Sequence, residues 1–163
     1  MKNTTSSLLT DLILPATAKF KPSYIAESVG GGKTQKFLHL VGKVMVANAV
    51  NANGRVYQLH EIADAMQFFK HRALVEELPV LGELNHPTPE NLRVDLNNAS
   101  HLIIDAWMEG NYGCAKLRIA ETPSGNIVKA LVAAGFRPGV SSRGNGRVGR
   151  NGVVEGFKCL TMD

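Results

Sequence analysis

Residues 100–121, SHLIIDAWMEGNYGCAKLRIAE, form the stretch of sequence from which the fold is most directly predicted. Two largely apolar runs, about residues 100–109 and 112–121, are separated by only Gly110-Asn111. Short runs of this kind, joined by two residues that include glycine, are typical of a β-hairpin. The stretch therefore predicts two neighbouring antiparallel strands.

Helices are predicted on both sides of this hairpin. Residues 58–78 place apolar side chains at steps of three and four, which is typical of an amphipathic helix, and Pro79 ends the pattern. A shorter helix is predicted over residues 126–134, with Gly135 as its C-terminal cap. Together the elements predict an α+β fold, with a mostly antiparallel β-barrel or sandwich core and two or three peripheral helices. Further strands are predicted around residues 37–47, 140–142 and 153–162.

The first 34 residues differ in composition from the rest. They are rich in serine and threonine and end in Gly30-Gly31-Gly32, which is typical of a flexible connector. We therefore expect a flexible N-terminal arm over residues 1–34. Residues 35–163 are expected to form one folded domain, because a chain of this length can build its own core without a metal or a disulfide.

The composition excludes several classes of protein. With 44% hydrophobic and 20% charged residues, the chain has the composition of an ordinary globular domain. No apolar run approaches the roughly 20 residues that span a bilayer, and Asp11 interrupts the apolar stretch of residues 6–15, so neither a membrane span nor a signal peptide is predicted. Cys114 and Cys159 have no neighbouring histidine and no second cysteine at metal-ligand spacing. We therefore expect buried free thiols, and no metal or cofactor.

The net charge of +4 raises the question of nucleic-acid binding. Nucleic-acid surfaces usually combine basic residues with aromatic residues that stack on bases, and only Phe136 and Phe157 lie near the basic stretch of this chain. A solvated mobile loop and a substrate-binding loop are the other two interpretations, and both are favoured over nucleic acid. The basic residues concerned are Arg137, Arg143, Arg147 and Arg150.

Two short motifs carry residues with catalytic chemistry. Gly139-Val-Ser-Ser-Arg-Gly144 offers a serine bracketed by glycines, and Gly82-Glu-Leu-Asn-His-Pro87 offers a histidine held before a proline. A serine hydroxyl becomes an effective nucleophile when an imidazole takes its proton and backbone N–H groups stabilise the oxyanion. Glycines let a backbone approach a substrate carbonyl closely, because they lack a Cβ atom. Together the two motifs indicate serine hydrolysis.

The order of the motifs resembles that of the prohead, or capsid maturation, proteases of tailed bacteriophages, which share the fold of the herpesvirus assemblins. The resemblance covers about residues 40–163 and includes Asn53-Gly-Arg-Val-Tyr57 and Glu155-Gly-Phe157 beside the histidine and serine motifs. It implies a herpesvirus-protease-like fold and a protease domain over residues 35–163. The implied function is that of a serine endopeptidase that cleaves phage scaffold and capsid precursor proteins, and itself, inside a prohead assembled in the host cytoplasm. The expected partners are therefore these precursor proteins and further copies of the chain, including a homo-oligomer.

The resemblance implies that His86 is the general base and Ser141 the nucleophile. Pro87 biases His86 away from helical backbone angles, as expected for a histidine at the end of a strand. On an extended segment Ser141 and Ser142 point to opposite faces, so only one of them can meet His86. Valine normally faces the core and Val140 shares a face with Ser142, which favours Ser141 unless a bulge breaks the alternation.

The third member of such a triad orients the imidazole. The resemblance places it at Asp163, near the end of the strand after the serine, with Glu155 as the alternative in the same strand. His101 is a further alternative because assemblins use a second histidine, although theirs follows the serine in the chain. The family usually continues beyond the position of Asp163, so we expect the sequence to be a trimmed or shortened form.

Substrate recognition is predicted in the glycine- and arginine-rich stretch after the serine. The expected oxyanion donors are the backbone N–H groups of Arg143 and Gly144, or of the loop at residues 147–150. Arg143, Arg147 and Arg150 are also expected to hold an acidic substrate residue, because arginine binds carboxylates bidentately and the resemblance implies cleavage after glutamate. The competing hypothesis is a non-enzymatic capsid or nucleic-acid-binding module that uses the same basic loop.

Overall fold

The structure, a computed structural model, describes residues 7–11, 20–87 and 91–163. These residues form two β-sheets and two helices, α1 (Leu59–Leu74) and α2 (Pro123–Ala133). The strands in chain order are β1 (Ser7–Asp11), β2 (Lys21–Ser28), β3 (Thr34–Val46), β4 (Val56–Tyr57), β5 (Val80–Glu83), β6 (Ala99–Glu109), β7 (Tyr112–Ile119), β8 (Ser142–Val148) and β9 (Val153–Met162).

The predicted hairpin lies inside the larger of the two sheets. This five-stranded sheet has the order β2-β3-β7-β6-β5, and the four-stranded sheet has the order β1-β8-β9-β4. Strands β6 and β7 pair antiparallel with Glu109 opposite Tyr112, as the Gly110-Asn111 connection predicted. Among the described strands, the short β4–β9 pair is parallel and the other pairs are antiparallel. The prediction of an α+β fold with a mostly antiparallel core and peripheral helices is confirmed.

Helix α1 packs against β6 of the larger sheet. It ends at Leu74, four residues before the predicted end at Leu78. Glu77 adopts a φ of 54°, and Pro79 disfavours a helical conformation in the residue before it, so the chain leaves the helix earlier than the apolar pattern indicated. The buried side chains of α1 are Glu61, Ile62, Ala65, Met66 and Phe69.

The side chain of Glu61 links α1 to the smaller sheet through hydrogen bonds. Glu61, which is buried, accepts the backbone N–H groups of Gly156 at 2.7 Å and Phe157 at 2.8 Å. The ring of Phe157 packs edge-on against Tyr57, with 4.7 Å between the ring centroids. The motif that ends in Tyr57 and the motif that ends in Phe157 therefore meet beside the start of α1.

Helix α2 begins at Pro123, three residues earlier than predicted. The hydroxyl oxygen of Thr122 accepts the N–H of Gly125 at 3.1 Å, and proline suits the first turn, where no helical partner for an N–H exists. After the helix, Gly135 has a φ of 92°, which is the left-handed conformation predicted for a glycine at this end.

Most of the described residues within 1–34 lie in strands, contrary to the predicted flexible arm. Strand β1 pairs with β8 and β2 pairs with β3, while Leu9 and Phe20 are buried in the core. The residues of Gly30-Gly31-Gly32 have φ values of 87°, 59° and 72° and form the turn between β2 and β3. A left-handed hairpin turn and a flexible connector require the same glycine-rich composition, and the sequence pattern did not separate them. That residues 35–163 form the protease domain stays a prediction.

The two cysteines are buried and free, as predicted. Burial raises the pKa of the Cys114 thiol to about 11 and also raises the pKa of Cys159. Both thiols are therefore neutral near pH 7 and are poor nucleophiles. No helix within the described residues is long and apolar enough to cross a membrane.

Candidate active site

An open cavity of about 430 Å³ lies between one face of the larger sheet, helix α2 and the segment that leads into β8. Its polar side is formed by residues 83–86 at the end of β5, residues 139–141 before β8, and Asp163 after β9. The cavity therefore brings the three residues predicted as a triad to one place. Its apolar side is lined by Phe20, Leu40, Leu117, Ile119, Val128, Leu131 and Phe136.

Ser141 lies immediately before β8 and is paired through its backbone with Asp163. Its N–H donates to the Asp163 carbonyl oxygen and its own carbonyl accepts the Asp163 N–H, both at 2.9 Å. The hydroxyl oxygen of Ser141 is buried and has no hydrogen-bond partner among the described residues. Ser142 is also buried, but it is not among the described residues that line the cavity. The first serine, and not the second, thus reaches the site.

His86 follows a sharp bend at the end of β5. Asn85 has a φ of 69°, a left-handed conformation that asparagine adopts more readily than most residues. The side chain of His86 is 39% exposed, and its Nδ1 lies 3.7 Å from Asp163 Oδ2. This distance is too long for a hydrogen bond, but catalytic contacts often shorten when substrate binds.

The Asp163 carboxylate is buried, and one of its two oxygens, Oδ1, accepts hydrogen bonds. Its Oδ1 accepts the backbone N–H of Glu83 and an N–H from Arg143 Nη2, both at 3.0 Å. Its Oδ2 lies 3.0 Å from Arg143 Nε, yet the alignment is not that of a hydrogen bond, and this oxygen has no other hydrogen-bond donor in the described part of the chain. Burial raises the pKa of the Asp163 carboxyl, while the Glu83 N–H and the Arg143 guanidinium act in the opposite direction. The oxygen that remains available, Oδ2, is the one nearest to His86.

Arg143 is enclosed by protein. Its side chain has no exposed surface, and its Nη2 lies 2.9 Å from Glu83 Oε1. Its Nη1 donates to the backbone carbonyl oxygens of Asn91 at 3.0 Å and Arg93 at 3.3 Å. These contacts correct the prediction that the Arg143 side chain holds an acidic substrate residue, because its charge is already shared between carboxylates and carbonyls.

Glu83 is the residue near the site that the sequence analysis missed. Its Oε1 accepts from Arg143 Nη2 and from the backbone N–H of Asp95, both at 2.9 Å. The available signal was its position, three residues before His86 in the same motif and followed directly by an apolar residue. An acidic residue that is 2% exposed needs such partners, since burial of an unpaired charge is strongly unfavourable.

Gly144 and Arg147, two of the other residues predicted to bind substrate, lie away from the cavity. Gly144 is inside β8, flanked by β1 and β9. Arg147 pairs with Glu155 at 2.9 Å, and both side chains are more than half exposed. Glu155, the alternative third member of the triad, is therefore engaged at the surface. No lysine or arginine occurs among the described residues that line the cavity.

His101, the other alternative, lines the cavity but is hydrogen-bonded elsewhere. Its Nε2 lies 3.0 Å from the Met162 carbonyl oxygen and its Nδ1 lies 2.9 Å from the Ser100 hydroxyl. Burial lowers the pKa of His101 to about 4, so the ring is neutral near pH 7. Nε2 then carries the proton and donates to the carbonyl, while Nδ1 accepts from Ser100. His101 thus connects β6 to β9 next to Asp163.

Metal binding has no evident site in the described ranges. Within residues 7–11, 20–87 and 91–163, no group of three or more histidine, cysteine, aspartate or glutamate side chains is arranged to hold a metal ion.

Comparisons with known proteins show the family of the sequence and a solved structure with a similar fold. The sequence matches the profile of the family described as "Prohead core protein serine protease" over residues 17–161. It is 37% identical over 129 residues to the prohead core protein protease of Enterobacteria phage T4, a match that covers 74% of this chain and 59% of that protein. The chain thus spans about three-fifths of the length of this curated relative. The solved structure of the bacteriophage T4 capsid assembly protease, gp21, superposes with a TM-score of 0.77 at 29% identity, covering 97% of this chain and 96% of the other.

Proposed function

The chain belongs to the prohead core protein serine protease family, and on this basis we propose that it is a serine endopeptidase with Ser141 as nucleophile, His86 as general base and Asp163 as the residue that orients the imidazole. One observation carries the proposal. The buried hydroxyl of Ser141, which has no partner in the described chain, opens into the same cavity as His86, whose Nδ1 faces Oδ2 of Asp163.

In the proposed reaction each nitrogen of His86 has a separate task. With Nδ1 directed at Asp163 Oδ2, Nε2 is the nitrogen that takes the proton of Ser141 as its oxygen attacks the scissile carbonyl carbon. The tetrahedral intermediate then collapses, the imidazolium gives its proton to the leaving amine, and an acyl group remains on Ser141. A water molecule, activated by the same imidazole, releases the acyl group and restores the serine hydroxyl.

The proposed substrates are the scaffold and capsid precursor proteins of a phage prohead, together with the chain itself. The family description and the names of the two T4 proteins, a prohead core protein protease and a capsid assembly protease, support this choice. The reaction is proposed to take place in the interior of the prohead, which is assembled in the host cytoplasm.

Cleavage after an acidic residue is the finer part of the proposal. It rests on the resemblance to the phage proteases, since Arg143 is buried, Arg147 is paired with Glu155, and the described lining of the cavity contains no basic side chain of lysine or arginine. A set of quenched fluorescent peptides that differ only in Glu or Gln before the scissile bond tests it. Equal cleavage of both members of a pair would overturn the preference and leave the catalytic assignment intact.

Covalent labelling tests the catalytic assignment. Wild-type protein is expected to react with a fluorophosphonate at Ser141, as located by mass spectrometry of the labelled peptide, and to hydrolyse peptides from the same set. Ser141→Ala should lose both reactions, and Ser142→Ala is the matched control that should keep both. Labelling at another residue, or peptide hydrolysis by Ser141→Ala at the wild-type rate, would overturn the proposal.

A further inference from the structure

One buried ion network joins the histidine motif to the serine motif. Glu83 lies three residues before His86, and Arg143 lies two residues after Ser141. Their side chains meet at 2.9 Å, and Arg143 contacts both oxygens of the Asp163 carboxylate at 3.0 Å. A single guanidinium, carried by the serine motif, therefore contacts the Glu83 carboxylate of the histidine motif and the Asp163 carboxylate after β9.

We propose that Arg143, held by Glu83, is a positioning residue for the reaction: it fixes the Asp163 carboxylate with Oδ2 toward His86 and ties the loop that carries His86 to the strand that carries the serine. The inference deepens the proposed function and rests on it. Arg143 itself touches neither the nucleophile's cavity nor, in the proposed reaction, the substrate.

The shape of the guanidinium supports a positioning role. It is planar and presents its donors in a fixed fork, so contacts to several acceptors fix its own orientation as well as theirs. Here Nε and Nη2 both face the Asp163 carboxylate, and Nη2 also contacts Glu83. Nη1 donates to the carbonyl oxygens of Asn91 and Arg93 in the segment after His86. A lysine ammonium at this position would keep the charge and lose the fork.

The charges of the network also suit the proposed reaction. With both carboxyls ionised, Glu83, Asp163 and Arg143 carry a net charge of −1, which the imidazolium of His86 neutralises when it forms. Preorganised opposite charge at the place where charge develops is a large source of transition-state stabilisation. The ionisable groups whose charges shift the pKa of Asp163 are Glu83 from β5, Arg143 from β8 and His86 from the loop. The charge of Asp163 in turn raises the pKa of Cys159 in β9.

Steady-state kinetics of Arg143 and Glu83 variants over a range of pH test the inference, with the most rapidly cleaved peptide of the quenched fluorescent set as substrate. Arg143→Met is expected to lower kcat on the order of 10²-fold, as misplaced catalytic groups do, with KM changed by less than about twofold because Arg143 does not line the cavity. Arg143→Lys should lower kcat by about tenfold or more, since the charge alone does not restore the fork.

The direction of the pH shift separates positioning from simple structural damage. Asp163 must be ionised to orient the imidazole of His86, so protonation of its carboxyl contributes to the acid limb of kcat. Removal of the Arg143 cation raises the pKa of Asp163, and the limb therefore moves to higher pH in Arg143→Met. Removal of the Glu83 charge in Glu83→Gln lowers the pKa of Asp163, so the limb moves to lower pH. General loss of packing would not move the two variants in opposite directions.

The outcomes distinguish this inference from the proposed function. If Ser141→Ala is inactive but a folded Arg143→Met or Arg143→Lys keeps the wild-type kcat and acid limb, the positioning role is overturned and the nucleophile assignment stands. If Ser141→Ala cleaves like wild type, the proposed function itself fails. Should neither Arg143 variant fold, as judged by circular dichroism and thermal unfolding, Glu83→Gln decides, and an acid limb that does not move overturns the inference.

Discussion

The two ends of β8 place the same type of residue in opposite surroundings. At the start of the strand the side chain of Arg143 has no exposed surface and contacts Glu83, Asp163 and two backbone carbonyls. Four residues later the side chain of Arg147 is 53% exposed and pairs with Glu155 at the surface. The local sequence is similar at both places, an arginine next to or near glycines.

The role of a basic residue in this chain therefore depends on whether carboxylates from distant parts of the sequence surround it. Glu83 and Asp163 lie 60 and 20 residues from Arg143, whereas Glu155 lies across the same hairpin from Arg147. A buried charge with such partners is costly to disturb, whereas an exposed ion pair contributes little. We therefore expect variants at the start of β8 to have large effects and variants at its far end to have small ones.

The largest expected difference between the two ends is in activity. His86→Ala and Ser141→Ala should each lower kcat on the order of 10⁴-fold or more, and the double variant should be no worse, because the two residues act as one unit. Arg147→Met, at the far end of β8, should stay within about twofold of wild type. Rates of peptide hydrolysis measure this, and an Arg147→Met variant as inactive as His86→Ala would remove the distinction between the two ends.

The next largest difference is expected between the effects of the two arginines on stability. Arg143→Met leaves two buried carboxylates without their cation and is expected to lower the free energy of unfolding by about 3–5 kcal/mol. Arg147→Met removes an exposed ion pair and should lower it by about 0.5 kcal/mol or less. Urea unfolding followed by circular dichroism compares them, and equal losses would contradict the burial argument.

The parts of this fold that were predicted correctly depend on neighbours in the sequence. The hairpin of β6 and β7 follows from a two-residue connection between apolar runs, and α2 from its apolar spacing and Gly135. Ser141 and not Ser142 lines the cavity, while the role of Ser141 as nucleophile stays a prediction. Each of these signals is complete within about 25 residues.

The parts that could not be predicted depend on distant contacts. Arg143 was assigned to the substrate because the carboxylates that enclose it lie in other segments, and Glu83 received no role for the same reason. Residues 20–34 were assigned to an arm because Gly30-Gly31-Gly32 has the same composition in a hairpin turn as in a linker. In both cases the partner that decides the structure, Asp163 or β3, is not visible from the local pattern.

A buried histidine of β6, next to the strand end that pairs with the start of β8, should also make stability depend on pH. His101 bridges Ser100 and Met162, and its folded-state pKa of about 4 lies below the ordinary value of 6.5. Its contribution is therefore fully present above pH 6.5 and is lost as the pH falls toward 4, by about 3 kcal/mol.

Urea unfolding at several pH values between 7.5 and about 4 measures this loss in wild type and in His101→Gln. The variant removes the titrating ring, so its stability should fall less steeply with acid than that of wild type. Carboxyl groups also titrate over this range in both proteins. The contribution of His101 is therefore the difference between the stability curves of wild type and His101→Gln. Parallel curves would show that His101 does not cause the acid sensitivity.

Two glycines, one near each end of β8, differ in how tightly the surrounding atoms pack against them. Substitutions at these glycines are expected to have the smallest effects. A Cβ added at Gly144 would lie 2.5 Å from the Lys158 carbonyl oxygen and 2.7 Å from a ring atom of Phe157, so part of the β9 backbone would have to move. At Gly149, beyond the far end of β8, the nearest atom would be the Asn151 side-chain oxygen at 3.0 Å, which can rotate away.

Gly144→Ala should therefore lower the free energy of unfolding by about 1–3 kcal/mol, and Gly149→Ala should change it by no more than about 0.5 kcal/mol. Thermal unfolding of the two variants in parallel measures the difference. If Gly149→Ala is the more harmful, tight packing is not what separates the buried start of β8 from its exposed end.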